Sequence, residues 1–274
     1  MLNPQLSVII PASNEAGYIG ACLTALFASD VAGECIVVAN GCRDNTAAIA
    51  LGFAAQAKAA GWTLTVLDLA QGGKPNALNA GDRIATAAVR AYLDADVQVS
   101  PDLMAQLVAA LSVTDPLYAT GTAQIPRAQS AVTRAYARFW QRLPFAQSTA
   151  PGYGLFAVNA AGRARWQDFP RIISDDTFVR LQFEPHERVQ VPAPYAWPMI
   201  EGFNALTRVR RRQDAGVAEI DRLYHGLLAR EAKAPLGKSR LLALALRDPL
   251  GFATYAAVSI AVRLKRDQNW TRGR

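Results

Sequence analysis

The stretch Leu6-Ser7-Val8-Ile9-Ile10-Pro11 decides the fold, and the polar residues Ala12-Ser13-Asn14-Glu15-Ala16 follow it directly. A nearly continuous apolar run of this length is typical of a strand whose two faces are both buried. The polar residues predict a turn that opens a helix extending to about Phe27. A buried strand followed by a turn and a helix is the repeating unit of a parallel α/β sheet.

Three further strands are predicted downstream. Glu34 to Ala39 forms the second, and the polar segment from Asn40 to Thr46 leads from it into an alanine-rich helix. Trp62 to Leu67 forms the third strand and Ala91 to Leu93 the fourth. Strands that alternate with helices predict an α/β fold with a mixed, mainly parallel sheet and helices on both faces. Ligands of such folds bind beyond the carboxyl ends of the strands, where these polar segments lie.

The fourth strand ends in two acids one residue apart, Asp94 and Asp96. Side chains alternate along an extended backbone, so both carboxylates are expected to point the same way. Together they could bind one hard divalent cation, either directly or through its waters, which would suit a metal-diphosphate ligand. Two solvated aspartates in a turn are the alternative interpretation of this pair.

Four segments in a fixed order carry a resemblance to a known family. They are Val8-Ile9-Ile10-Pro11-Ala12-Ser13-Asn14-Glu15, Ile36-Val37-Val38-Ala39-Asn40-Gly41-Cys42-Arg43-Asp44-Asn45-Thr46, Gly73-Lys74-Pro75-Asn76-Ala77-Leu78-Asn79-Ala80-Gly81 and Leu93-Asp94-Ala95-Asp96. Over residues 6–185 the chain resembles the family 2 glycosyltransferases, which have the GT-A fold and are inverting enzymes. The resemblance implies transfer of a sugar from a nucleotide-sugar donor, with a UDP-sugar favoured, to a saccharide or lipid-linked acceptor. It further implies a role in the synthesis of cell-surface polysaccharide or glycolipid.

The resemblance also implies which residues bind the nucleotide. Pro11, Asn14 and Glu15 match the first nucleotide-binding turn, and Lys74 matches a lysine that approaches the nucleotide. Asn40 stands where many members have an aspartate that hydrogen-bonds the base. An amide both donates and accepts hydrogen bonds whereas a carboxylate only accepts, so the base stays open, with uridine as the first expectation.

The acidic residues take two roles in the same resemblance. Asp94 and Asp96 match the pair that orients the nucleotide sugar and its metal, which would be Mg2+ or Mn2+ because oxygen ligands and phosphates suit both ions. Asp175 and Asp176 match the acidic pair that contains the catalytic base, with Asp176 as the first choice and Asp175 as the second. A helix N-terminus whose dipole favours carboxylates is the alternative interpretation of that pair.

The chemistry of sugar transfer requires two separated acidic sites. An acceptor hydroxyl becomes a good nucleophile when a carboxylate takes its proton, and the departing nucleoside diphosphate needs its charge neutralised by metal and cations.

Four arginines occur in the segment from Leu206 to Gln213, and Arg211 and Arg212 are candidates for binding the diphosphate with two hydrogen bonds each. A solvated or lipid-facing basic stripe explains the same run. The segment Gly152-Tyr153-Gly154 resembles a glycine-rich stretch before the acceptor side, and an ordinary tight turn explains it equally well.

The positive charge of the chain lies at its C-terminal end. Residues 1–207 hold 14 Lys or Arg and 16 Asp or Glu, a net charge of −2, whereas residues 208–274 hold 15 and 6, a net charge of +9. We therefore expect a GT-A catalytic domain in residues 1–215 and a basic, partly apolar helical extension in residues 216–274. Arg247, Asp248 and Pro249 interrupt the apolar runs of the extension, which are shorter than the ~20 residues of a membrane-spanning helix.

Cations flank the apolar runs of this extension and predict peripheral contact with an anionic membrane. They are Lys233, Lys238, Arg240, Arg263, Lys265 and Arg266. A helical pair packed on the catalytic domain or on a second subunit, and thus a homo-oligomer, is the alternative. Nucleic-acid binding is not expected, because the basic residues are not interleaved with aromatic ones. No charged start with an apolar signal core precedes the first strand, so we expect a cytoplasmic protein on the inner face of the membrane.

Two other functions can be tested against the same residues. A phosphatase of the haloacid-dehalogenase type would use Asp94 as a phosphorylated nucleophile, but it needs a lysine between its acidic motifs. The chain has no lysine between Lys74 and Lys233. A catalytically degenerate, membrane-associated scaffold stays open, because Asn40 and the absence of a Gln/Arg/Trp signature after the acidic pair depart from the family pattern.

Overall fold

The computed structural model describes residues 5–231 and 235–264, and within them one eight-stranded sheet forms the centre of the fold. Its strands are β1 (Leu6–Ala12), β2 (Glu34–Asn40), β3 (Thr63–Leu69), β4 (Val89–Leu93), β5 (Gln98–Val99), β6 (Tyr118–Gln124), β7 (Leu155–Val158) and β8 (Arg188–Ala196). They lie in the order β3-β2-β1-β4-β7-β6-β8-β5. Strands β3, β2, β1 and β4 are parallel, β7 is antiparallel to β4 and β6, and β8 is parallel to β6. This mixed, mainly parallel sheet confirms the predicted fold class.

Helices cover both faces of the sheet. They are α1 (Ile19–Phe27), α2 (Thr46–Gly52), α3 (Ala54–Ala59), α4 (Lys74–Ile84), α5 (Leu103–Leu111), α6 (Ala131–Trp140), α7 (Ala160–Arg163), α8 (Asp175–Arg180), α9 (Phe203–Leu223), α10 (Lys238–Arg247) and α11 (Pro249–Leu264). Short 3-10 helices occupy Pro185–Glu187 and Leu227–Glu231.

The core explains why the first strand had to be apolar throughout. Val8 and Ile10 pack in one apolar cluster with α1 and α5, whereas Ile9 packs in a second cluster with α4 and α8 on the opposite face. Because both faces of β1 are buried, neither set of alternating side chains can be polar and solvated. A third, smaller cluster joins α6, α9 and α11 beside the sheet through residues such as Leu206 and Val258.

Several predicted boundaries differ from the observed ones. The first strand includes Ala12, and the polar turn continues to Tyr18 before α1 begins at Ile19. The alanine-rich helix after the second strand is two short helices that meet at Phe53. In both places the end of an element is set by local hydrogen bonds that apolar periodicity does not encode.

The C-terminal helices pack on the catalytic part of the same chain. Asp248, between α10 and α11, accepts two hydrogen bonds of 2.7 Å from Arg138 of α6, and Tyr255 of α11 stacks on Tyr136 with ring centroids 5.5 Å apart. The predicted domain boundary between residues 215 and 216 falls inside the continuous helix α9. None of the helices within residues 5–231 and 235–264 combines the length and the hydrophobicity needed to span a bilayer. Lys233, Lys265 and Arg266, part of the predicted membrane-facing charge, lie outside the described residues.

Candidate active site

The carboxyl ends of β1, β2 and β4 meet at one edge of the sheet because these strands are parallel neighbours. The turn after β1 is fixed by the loop after β2: the Arg43 N–H donates to Asn14 Oδ1 at 2.7 Å, and the Glu15 N–H donates to Thr46 Oγ1 at 2.8 Å. Asn14 has a φ of +58°, a left-handed conformation that asparagine tolerates better than most residues. The first predicted nucleotide-binding turn is therefore held in one shape by side-chain hydrogen bonds.

Asn40 lies at the end of β2 with only 2% of its surface exposed, and both ends of its amide are used. Nδ2 donates to the Ala12 carbonyl at 2.9 Å, and Oδ1 accepts from the Gly73 N–H at 2.9 Å. An aspartate could accept from Gly73 but could not donate to Ala12. The asparagine thus ties the end of β1 to the glycine turn that precedes α4, which accounts for the amide at this position.

Lys74 begins α4 and lies between two acidic groups. Its Nζ is 2.8 Å from Asp94 Oδ1 and 3.3 Å from Asp175 Oδ2. Burial acts to lower the pKa of Lys74, but the carboxylates of Asp175, Asp94 and Asp176 outweigh burial and raise its pKa well above the usual range. Lys74 is therefore a permanent cation that connects the two acidic pairs named from the sequence.

Asp94 and Asp96 lie in a turn and not on an extended strand. Strand β4 ends at Leu93, and the Val97 N–H donates to the Asp94 carbonyl at 3.1 Å, which closes the turn. The prediction that these two side chains are aligned by their alternation along a strand was therefore wrong, because the backbone there is not extended. Both carboxylates nevertheless line one cavity of about 210 Å³.

Asp175 and Asp176 begin the short helix α8, and they differ in exposure. Asp175 is 3% exposed, and apart from its ion pair with Lys74 its Oδ2 has no hydrogen-bond partner among the described residues. Burial, opposed by Lys74 and reinforced by the negative charges of Asp176 and Asp94, raises the pKa of Asp175 to about 6. Asp176 is half-buried, and its Oδ1 accepts a hydrogen bond of 2.7 Å from the Thr177 N–H.

A narrow cleft, the lysine cleft, brings five of the predicted residues together. It is lined by Pro11, Lys74, Asp94, Asp175 and Asp176, and by the glycine-rich segment. In that segment Gly154 has a φ of +76°, and a Cβ there would lie 2.6 Å from Trp197 and 2.8 Å from Val97. Because its carbonyl also accepts the Asp94 N–H at 2.8 Å, this glycine lets the backbone reach the acidic turn.

The arginine run of α9 is divided among different partners. Arg210 pairs with Asp214 at 3.0 Å and contacts the hydroxyl of Tyr255 at 3.3 Å. Arg211, a predicted diphosphate ligand, faces α11 and donates to the Ala261 carbonyl at 3.3 Å, so it is not brought to the acids. Arg212, the other candidate, lines the cavity that contains Asp94 and Asp96.

An apolar wall completes that cavity and was missed as part of the site. It is formed by Trp140, Trp197, Met199, Ile200, Leu206 and Val209. The polar side of the same space is lined by Asp94, Asp96, Arg210, Arg212 and Gln213, and we name the whole space the apolar cavity. The aliphatic members of this wall are separated from the acids by more than 100 positions and carry no motif.

Carboxylate oxygens are the one metal-binding chemistry that the site offers. No group of three or more His, Cys, Asp or Glu side chains that could hold a metal occurs in the described part of the chain. Asp94 and Asp96 supply hard oxygen ligands, and the phosphates of a nucleotide and waters would have to supply the others, as is usual for Mg2+. The residues present therefore fit a metal that arrives together with its nucleotide.

Comparisons with known proteins identify the family of this chain. A family model described as Glycosyl transferase family 2 matches residues 7–164, more than half of the chain. No curated protein matches the chain in sequence. The family match favours the glycosyltransferase prediction over the phosphatase alternative.

Solved structures with the same fold are distant in sequence. The mannosyltransferase PcManGT from Pyrobaculum calidifontis, in complex with GDP-Man and Mn2+, has a TM-score of 0.60 at 21% identity, over 97% of this chain and 77% of that one. TarS from S. aureus, in complex with UDP-GlcNAc, has a TM-score of 0.54 at 13% identity, over 95% and 92%. Glucosyl-3-phosphoglycerate synthase from Mycobacterium tuberculosis, with Mn2+, UDP and glucosyl-3-phosphoglycerate, has a TM-score of 0.51 at 19% identity, over 85% and 82%.

Proposed function

This chain belongs to glycosyl transferase family 2, and we propose that it is a metal-dependent, inverting enzyme that transfers a sugar to a saccharide or lipid-linked acceptor. The observation that carries the proposal is the position of Lys74, whose Nζ lies 2.8 Å from Asp94 and 3.3 Å from Asp175. A single cation thereby lies between the acids assigned to the donor and the acids assigned to the acceptor. We expect synthesis of cell-surface polysaccharide or glycolipid, with a UDP-sugar as the first donor to test.

The donor side is built from residues that hold a charged leaving group. Asp94 and Asp96 would hold Mg2+ or Mn2+, and the metal, when bound, would neutralise the charge that develops on the departing diphosphate. Lys74 and Arg212 add two cations at this side, so the leaving group is stabilised from more than one direction. Pro11, Asn14 and Glu15 would position the base and ribose, and Asn40 keeps the end of β1 and the Gly73 turn in place for them.

The acceptor side needs one carboxylate that is charged and accessible. Asp176 is half-buried and next to the lysine cleft, so it can take the proton of an acceptor hydroxyl as the sugar is transferred. Asp175 is buried against Lys74 and is suited to holding that lysine. One direct displacement at the anomeric carbon inverts its configuration and requires no covalent sugar-enzyme intermediate.

A thermal-shift panel of UDP-, GDP- and dTDP-sugars, each with and without Mn2+, tests the proposed donor. Ligand at 100 times its Kd stabilises a protein by ~2.7 kcal/mol, which for a chain of this size raises Tm by roughly 5–10 °C. We expect such a shift with a UDP-sugar and Mn2+, and a smaller one without the metal. A Tm shift with the GDP-sugar alone would identify guanosine, and not uridine, as the base of the donor. The absence of a shift with every nucleotide sugar would refute the proposal. AMP with Mn2+ is the control.

Contact with an anionic membrane is the second part of the proposal, and exposed leucines support it. Leu242, Leu246 and Leu250, on α10 and at the start of α11, are 61%, 73% and 67% exposed. Exposed cations lie on the same two helices, at Lys238, Arg240, Arg247 and Arg263. Large exposed apolar side chains beside cations suit a surface with anionic headgroups and an apolar interior. The inward faces of α11 pack on α6 and α9, so the fold leaves the outward faces for this contact.

The double substitution Leu246→Asp and Leu250→Asp should weaken sedimentation with phosphatidylglycerol vesicles by at least about tenfold, because two apolar contacts are lost and two negative charges gained. These residues are exposed, so the fold should tolerate the change. Leu51→Asp, at a leucine of α2 that is 58% exposed, is the matched control and should leave sedimentation unchanged. Equal sedimentation of the double variant and the unaltered protein would count against membrane contact through this surface.

A further inference from the structure

The apolar cavity opens beside the acids of the proposed donor site, and its lining divides into the polar side, which can form hydrogen bonds, and an apolar wall. Four aliphatic side chains, Met199, Ile200, Leu206 and Val209, and the rings of Trp140 and Trp197 line it. A sugar ring packed against this wall would bury hydroxyl groups against carbon atoms and leave them without partners. An apolar group would instead exchange water for a matching surface.

The wall is preformed, because its aromatic residues are held on several sides. The rings of Tyr153, Trp140 and Trp197 contact one another: the Tyr153 centroid is 4.7 Å from Trp197 and 5.5 Å from Trp140, and the two tryptophan centroids are 5.9 Å apart. On the far side Arg210 contacts the hydroxyls of Tyr136 and Tyr255 and pairs with Asp214, which fixes α9 against α6 and α11. Ordering a ligand there requires little ordering of the protein itself.

The size of the cavity indicates what it could hold. Its volume is about 210 Å³. An engineered apolar cavity of about 150 Å³ binds benzene, so this space admits a somewhat larger apolar group, such as the first carbons of an alkyl or isoprenoid chain. It is smaller than the pockets that enclose a whole drug-sized ligand, which have volumes of roughly 300–1,000 Å³.

We propose that the apolar cavity is an acceptor subsite and that it selects acceptors with an apolar group close to the hydroxyl that receives the sugar. Of the two acceptor classes in the proposed function, on which this inference rests, it selects the lipid-linked one. The acceptor hydroxyl then lies at Asp94, which lines both the apolar cavity and, with Asp176, the lysine cleft, while the apolar group contacts the wall formed by α9 and the segment from Trp197 to Ile200.

Calorimetric titration with two glucosides tests this selection in the full-length protein with UDP and Mn2+ present. Octyl β-D-glucoside, kept below its micellar concentration, and methyl β-D-glucoside share one sugar and differ in the apolar chain. Each fully buried methylene improves affinity about fourfold, so we expect the octyl compound to bind at least about tenfold more tightly than the methyl compound. Equal affinities, or no binding of the octyl compound, would overturn the proposal.

Substitutions in the wall of the cavity test where octyl glucoside binds. Val209→Gln and Ile200→Gln place an amide in the wall, at half-buried positions, and each should weaken octyl glucoside binding by at least about fivefold. Val217→Gln is the matched control, because Val217 is a half-buried valine of the same helix that does not line the cavity. Binding that survives both wall variants, each checked for an unchanged Tm, would show that the chain binds elsewhere and would overturn the assignment.

Failure of the acceptor subsite can be distinguished from failure of the proposed function. If UDP and Mn2+ still raise Tm while octyl glucoside fails to bind, the donor site stands and the acceptor subsite is refuted. If no nucleotide sugar raises Tm, the proposed function itself fails, whatever the glucosides do.

Discussion

Asp176→Asn should reduce the turnover of sugar transfer by about 10²–10⁴-fold, the usual contribution of a general base. The amide has nearly the same shape as the carboxylate, and its oxygen can still accept the Thr177 N–H that Asp176 accepts at 2.7 Å. It cannot take a proton from the acceptor hydroxyl. Donor binding, measured as the Tm shift with nucleotide sugar and Mn2+, should be unchanged, because Asp176 is not among the residues assigned to the donor.

The controls for this substitution use other aspartates of the same chain. Asp221→Asn changes an exposed carboxylate of α9 and should leave turnover unaffected. Asp175→Asn removes the charge of one of the two carboxylates that pair with Lys74 and should impair donor binding as well as turnover, since that lysine would be less firmly held. Normal turnover in the Asp176 variant, combined with complete loss in the Asp175 variant and intact donor binding, would reverse the two roles.

Asp96→Asn should remove the dependence of donor binding on Mn2+. A neutral amide is a much weaker ligand for a hard divalent cation than a carboxylate, and the described part of the chain has no group of three or more His, Cys, Asp or Glu side chains that could hold the ion instead. Loss of one charged contact to a metal-diphosphate should weaken donor affinity by about 10²-fold or more, equivalent to about 3 kcal/mol. Calorimetric titration of nucleoside diphosphate with and without Mn2+ measures the difference.

Asp115→Asn is the matched control for the metal site, because Asp115 is an exposed aspartate in a turn that does not line the apolar cavity. It should bind donor and Mn2+ as the unaltered chain does. A Mn2+-dependent affinity that is the same in the Asp96 variant and in this control would contradict the metal role of Asp96. Transfer that is equally fast after removal of divalent ions by a chelator would contradict it as well.

The fold was predictable from the sequence because burial on both faces leaves a continuous apolar run. Strands β1 and β2 have that pattern, and their polar ends mark the edge where the site lies. The sequence predicted that the fourth strand ends at Leu93, as observed, but it did not decide whether Asp94 and Asp96 continue as extended backbone or form a turn. Strand β4 pairs with β1 only as far as Tyr92, so the hydrogen bonds of its neighbours decide its end.

The site contains interactions that only tertiary structure creates. Asn40 binds the Gly73 N–H from 33 positions away, and Asp248 binds Arg138 across 110 positions. The arginine run shows the same limit within one helix. Consecutive residues of an α-helix differ in direction by about 100°, so the rotation of α9 brings Arg212 to the cavity and turns its neighbour Arg211 toward α11. The sequence supplied both arginines but not the orientation that distinguishes them.

The position of the metal is the most direct test of the central claim that Asp94 and Asp96 bind a cation together with the donor diphosphate. Crystals grown with UDP and Mn2+, with diffraction measured at the manganese absorption edge, would locate the ion without reference to any assumed coordination. The account predicts one anomalous peak at coordination distance from the carboxylates of both residues and from the diphosphate. Bound UDP without an anomalous peak at these two acids, or with the peak elsewhere, would contradict it.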